Sequence, residues 1–205
     1  MARPSRQSGK PKQLDHSLRR YDVVAIGASA GGLNALTHVL RELPREFPSS
    51  IVIVQHVSPG HKSWIANLLG RAVQIKVEQA EHGKIMQPGT AYIAPPDEHL
   101  LVGPGKLQLA HTQLIHFSRP SIDLLFESVA GTYGSRSIGV ILTGSGRDGS
   151  AGLRTLKDAG GITIVQSPAS SEFRPMPEAA IETGSVDFVL PLKEIGGTLS
   201  ELCSR

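Results

Sequence analysis

A chain of 205 residues is long enough for one α/β domain, and 40% hydrophobic with 19% charged residues supply an ordinary core and exclude wholesale disorder. The single cysteine, Cys203, excludes an intrachain disulfide and a thiolate zinc cluster, and no apolar run reaches the roughly 18 residues of a membrane-crossing helix. The net charge of +3 is local: residues 1–20 hold six cations against one carboxylate, which leaves −2 for residues 21–205, and with 4% aromatics this speaks against a nucleic-acid-binding domain.

Residues 1–20 therefore read as a disordered basic tail, and residues 21–205 as one domain of a soluble, cytoplasmic protein. From Tyr21 onward, short β-branched runs alternate with stretches of helical period. YDVVAI (21–26) reads as the first strand, and Leu33, Leu36, Val39, Leu40 and Leu43 then mark a helix. IVIVQ (51–55), VQIKV (73–77) and TAYIA (90–94) follow as strands, and HLLV-GPGK-LQLA around 99–110 as a hairpin. Pro120-Ser121 suits the start of a helix carrying Ile122, Leu125, Phe126 and Val129. IGVILT (138–143), ITIV (162–165) and VDFVL (186–190) complete the strands, with Gly160-Gly161 and Gly184 placed as helix stops. Strands apolar on both faces, separated by helices, predict a doubly wound, mostly parallel sheet with helices on both faces.

Ligands of such a sheet bind outside the carboxyl ends of its strands. After the first strand stands Gly27-Ala28-Ser29-Ala30-Gly31, which matches the Gly-x-Ser-x-Gly elbow that exposes a nucleophilic serine. A plain glycine-rich turn or a phosphate loop would use similar residues, although Ser29 occupies a position where the dinucleotide fingerprint needs glycine. His56 ends the neighbouring apolar strand, within reach of a general-base role. Its spacing to His61 in a loop is a poor metal-ligand pattern. Asp148, between glycines after IGVILT, either orients that histidine or caps the helix beginning near Ala151. The order Ser29, His56, Asp148 differs from the serine–aspartate–histidine order of ordinary lipases and esterases.

VAIGASAGG, VQHVSPGHKS, YIAPPDEHL, RPSIDLLFESVA, GVILTGSGRDGSAGL, AGGITIVQ and MPEAAIETGSVDFVLPL occur in the order seen in one family. From about Tyr21 to Pro191 the chain resembles the catalytic domain of chemotaxis protein-glutamate methylesterases, the CheB type. The resemblance implies hydrolysis of glutamate methyl esters on chemoreceptor cytoplasmic helices, with possible deamidation of receptor glutamines, and no metal or organic cofactor. It puts the catalytic serine, histidine and aspartate on Ser29, His56 and Asp148, and the helix N-terminus that follows Ser29 offers free N–H groups, Ala30 among them, to an oxyanion. His99 and Arg119 also match recurrent family motifs, where a substrate-side role stands beside loop packing and helix capping. Ser145, a further candidate for oxyanion or substrate binding, departs from the family's usual methionine, and twenty tail residues cannot hold the family's receiver domain. A non-catalytic or re-targeted relative that binds a modified glutamate is the alternative; nothing in the sequence indicates the oligomeric state.

Overall fold

The structure, a computed structural model, describes residues 21–56, 64–115 and 118–204. The basic tail, His61 and His116 lie outside the described residues. In chain order the elements are β1 (Val23–Ala28), α1 (Gly32–Arg41), β2 (Ser50–Gln55), α2 (Ile65–Gly70), β3 (Lys76–Gln79), β4 (Thr90–Ile93), β5 (His99–Gly103) and β6 (Lys106–Ala110). They continue with α3 (Ile122–Tyr133), β7 (Ser137–Ile141), α4 (Ser150–Asp158), β8 (Ile162–Gln166), α5 (Pro175–Glu182), β9 (Phe188–Leu190) and α6 (Leu192–Cys203).

Seven strands form one parallel sheet in the order β3-β4-β2-β1-β7-β8-β9, and β5 and β6 form a separate antiparallel hairpin. Successive side chains of a strand point to opposite faces, and β1 shows what that requires here. Val24 and Ile26 pack with Leu36 and Leu40 of α1 and Ile195 and Leu199 of α6. Val23 and Ala25 pack on the other face with Ile122 and Phe126 of α3 and Leu153 of α4. Both faces are dry, so the strand must be apolar throughout. That is why it reads as a continuous run rather than an alternating one.

The predicted architecture is the observed one, with local differences. β1 begins two residues later than expected and runs through Ala28, which leaves Ser29 directly at the strand end. Leu33, expected on the buried stripe of α1, is 36% exposed because it lies in the first turn, beyond the residues that reach the sheet. The short α2 and the C-terminal α6 carried no stop or cap pattern that marked them in the sequence. Ser121 caps α3 as expected, its Oγ accepting from Leu124 N–H. Gly160 and Gly184 follow α4 and α5 with φ of 88° and 70°, the left-handed conformation that ends a helix.

Candidate active site

From β1 the chain passes to β2, then to the edge strand β3 and back to β4 between them, before it returns to place β7 on the other side of β1. The switch point of the sheet therefore lies between β1 and β7, where loops leaving adjacent strands diverge and open a crevice. The loop after β1 carries Ser29, the residue after β2 is His56, and the loop after β7 carries Asp148. The order of strands brings these three positions to neighbouring ends, roughly 4.8 Å apart strand to strand.

Asp148 is 5% exposed and bonded on all sides. Its Oδ2 lies 2.8 Å from His56 Nε2 and accepts from Ile122 N–H at 2.8 Å. Its Oδ1 accepts from Ser121 Oγ–H and Asp123 N–H, both at 3.0 Å. The carboxylate thus caps a helix and holds the histidine at once, but the helix is α3. The α4 helix that follows it in sequence has Gly149 as N-cap, a residue with no side chain to cap it, and takes no bond from Asp148. The expected cap near Ala151 is corrected accordingly: α3 starts beside the β7 loop, so its free N–H groups meet the carboxylate first. Burial works against the charge of Asp148, and the bonds from His56, Ile122 and Asp123 outweigh it, holding the carboxyl below its ordinary range.

Asp123, in the first turn of α3, does the reverse service for α4, its Oδ1 accepting from Gly152 N–H at 2.7 Å. The two N-termini are crossed-capped. Burial, with the charge of Asp148 behind it, raises the Asp123 carboxyl above its usual value against the pull of Gly152 N–H. A carboxylate facing His56 Nε2 requires the proton on that nitrogen, so Nδ1 is the ring nitrogen left as a base. His56 keeps 19% of its side chain exposed, so the ring is not sealed off from the crevice as Asp148 is.

The Ser29 loop is pinned from both neighbouring strands. Ser29 N–H donates to Thr143 O at 3.1 Å, and Thr143 Oγ1–H to Ala30 O at 3.1 Å. From the other side, Gln55 Nε2 donates to Ser29 O at 2.7 Å and to His56 O at 2.8 Å. Gly144 lies so close that a side chain there would come within 2.8 Å of Ser29 Cβ. Among the described residues the N–H groups of Ala30 and Gly31 have no acceptor, and α1 has no side-chain cap. Two free donors beside a serine at a helix N-terminus can stabilise a developing oxyanion. A cavity of about 280 Å³, lined by Ser29, Gly31, Leu33, Gln55 and Glu172 among others, opens beside them.

Ser145 is exposed, its side chain free of hydrogen bonds and its N–H without an acceptor among the described residues. His99 and Arg119 do not face the cavity. His99 is 0% exposed, with Nδ1 accepting from Ser121 N–H at 3.1 Å and Nε2 donating to Gln113 O at 3.0 Å. Both nitrogens are spent on the fold, and their effect on the site passes through Ser121 to Asp148. Arg119 binds Asp97 through Nε and Nη2 and Thr112 O through Nη1. That guanidinium holds the Asp97 carboxyl below its ordinary range. Among the described residues no group of three or more His, Cys, Asp or Glu side chains could hold a metal ion.

Sequence reasoning passed over Gln55, Thr143 and Gln166. Gln55 and Gln166 end buried apolar strands, Thr143 follows β7 by two residues, and each is at least 93% buried. Gln166 accepts from Thr143 N–H at 2.8 Å and donates to Ser170 O at 2.8 Å. A polar residue closing an apolar run was the available signal, since it has to find partners in the loops beyond.

A family model described as CheB methylesterase matches residues 24–199. A protein-glutamate methylesterase/protein-glutamine glutaminase of Anaeromyxobacter dehalogenans is 46% identical over 183 residues, 89% of this chain and 54% of the relative. The chain thus spans about half the length of that protein. A putative protein-glutamate methylesterase/protein-glutamine glutaminase of Leptospira interrogans is 42% identical over 176 residues, 85% of this chain and 91% of the relative. The solved catalytic domain of Thermotoga maritima CheB methylesterase matches with a TM-score of 0.85 at 37% identity, covering 89% of this chain and 98% of that one.

Proposed function

The chain belongs to the CheB methylesterase family, and we propose that it hydrolyses glutamate γ-methyl esters on methylated chemoreceptors, with Ser29, His56 and Asp148 as its triad. The observation that carries this reading is the 2.8 Å contact of Asp148 with His56 at a strand end adjoining the Ser29 loop. In the proposed reaction Ser29 Oγ attacks the γ-carbonyl carbon while its proton passes to His56 Nδ1. Asp148 stabilises the imidazolium, and the Ala30 N–H receives the oxyanion, with Gly31 and Ser145 N–H groups nearby. Collapse of the tetrahedral species returns the proton to the departing methoxide, which leaves as methanol. Water, deprotonated by His56, then cleaves the glutamyl ester and restores Ser29.

The same attack on a carboxamide would release ammonia, so deamidation of receptor glutamines needs no further residue. The substrate would be a receptor's cytoplasmic helix, which places the enzyme in the cytoplasm. Among the described residues no helix is long and apolar enough to cross a membrane. Exposed Leu33, which lines the cavity, and exposed Phe173, next in sequence to the lining residue Glu172, would offer apolar contact to such a helix. A methylated chemoreceptor should release methanol with the wild-type protein and not with Ser29→Ala. Equal release by both would end the proposal.

A further inference from the structure

Gln55 occupies a place that the regular ladder would give to another group. In a parallel pair, every second residue of one strand bonds two residues of its neighbour. Ala28 pairs with Gln55, and His56 N–H donates to Ala28 O at 3.0 Å. The next rung of that ladder would run from Ala30 N–H to His56 O. It is not made. Gln55 Nε2 takes His56 O at 2.8 Å instead, and with its second hydrogen takes Ser29 O at 2.7 Å. Ala30 N–H is left without an acceptor among the described residues.

The orientation of the amide is fixed by its partners. Turned over, it would set Oε1 against two carbonyl oxygens; as placed, Oε1 is the buried atom with no partner. Gly32 leaves room for it, since a Cβ there would come within 2.0 Å of Oε1. Keeping an unpaired acceptor at this spot costs stability, and what the protein keeps in exchange is a donor aimed at the two residues flanking the reaction.

We infer that Gln55 is a positioning residue for the proposed esterase: by occupying His56 O it holds Ala30 N–H free as the oxyanion donor, and it ties the serine loop to the histidine. The inference rests on the reading of Ser29 as nucleophile. Without the amide, His56 O is open, and Ala30 N–H can close the ladder onto it. The oxyanion would then lose a donor while the cavity and its apolar rim stay as they are.

The test uses a fluorophosphonate, which bonds to Ser29 Oγ as fluoride leaves and the hydroxyl proton passes to His56, and so sets a tetrahedral phosphorus with its phosphoryl oxygen in the oxyanion position without any receptor. Gln55→Met should lower the maximal inactivation rate by roughly 10²–10³-fold, the loss of one oxyanion donor. The reagent's half-saturation concentration should stay within a few-fold. In the wild-type protein, the Ala30 amide proton should exchange with solvent freely before labelling, and should be protected and shifted downfield afterwards. That measurement stands even where the variant fails to fold. An Ala30 amide already protected in the free protein and unchanged by labelling, or a Gln55→Met protein that labels at the wild-type rate, overturns the inference. A wild-type protein that does not label at Ser29 overturns it together with the triad. Labelling without methanol release from receptors ends only the substrate assignment.

Discussion

Asp148→Asn separates the two duties of this carboxylate. Two oxygens accept four donors in the native protein, and an asparagine offers one oxygen and one NH₂. With NH₂ in the place of Oδ2, Ile122 N–H is orphaned, and His56 must turn a lone pair toward it, moving the ring proton to Nδ1. With NH₂ in the place of Oδ1, Asp123 N–H is orphaned, but the Ser121 hydroxyl can rotate to accept. The second arrangement leaves fewer groups unpaired and is the one expected. One buried N–H without an acceptor costs about 1–3 kcal/mol, and losing a negative charge at the α3 N-terminus adds about 0.3–1 kcal/mol. A loss of about 1–4 kcal/mol lowers Tm by roughly 3–16 °C in a domain of this size. His56 keeps its tautomer, so turnover falls through the lost charge-assisted bond to imidazolium, worth about 1.5–3 kcal/mol, or roughly 10–150-fold. Thermal denaturation by circular dichroism and methanol release measure the two parts. An unchanged Tm would refute the cap on α3. A fall of about 10⁴-fold in turnover would show the wrong tautomer and refute the role given to Ser121.

Ser29→Ala and His56→Ala should each lower methanol release by roughly 10⁴-fold or more, and the double variant should be no worse than either single one. For Asp123, whose folded pKa is raised above the unfolded value of about 3.9, the stability it contributes is complete below that value and is lost as pH rises through the folded pKa. Asp123→Asn keeps an acceptor for Gly152 N–H without the charge, so its Tm relative to wild type should rise between pH 4 and 7; a constant difference would refute the buried charge conflict. Ser145→Ala should keep most of its turnover, and Ser145→Met should change substrate preference by roughly tenfold, because the exposed hydroxyl has no partner and the backbone N–H is untouched. Abolished turnover in a folded Ser145→Ala protein would bring the hydroxyl into the reaction.

The amino-acid sequence by itself determined the layers, because strands buried on both faces must be apolar at every position and helices must repeat every three to four residues. It also marked three loops at strand ends, since Gly-x-Ser-x-Gly, a histidine closing an apolar strand and an aspartate between glycines are local patterns. Strand order is not local. His56 and Asp148 lie 92 residues apart, and only the placement of β7 beside β1 lets them meet. The same holds for Asp148 on α3 and for His99 under Ser121, where a neighbouring element supplied the partner that a sequence window assigns to the nearest helix or to a substrate. Gln55 shows the limit most clearly. Its strand was legible as IVIVQ, but which carbonyls its amide would reach depended on how two strands end side by side. Backbone groups left over at such ends must be satisfied by whatever the fold brings near.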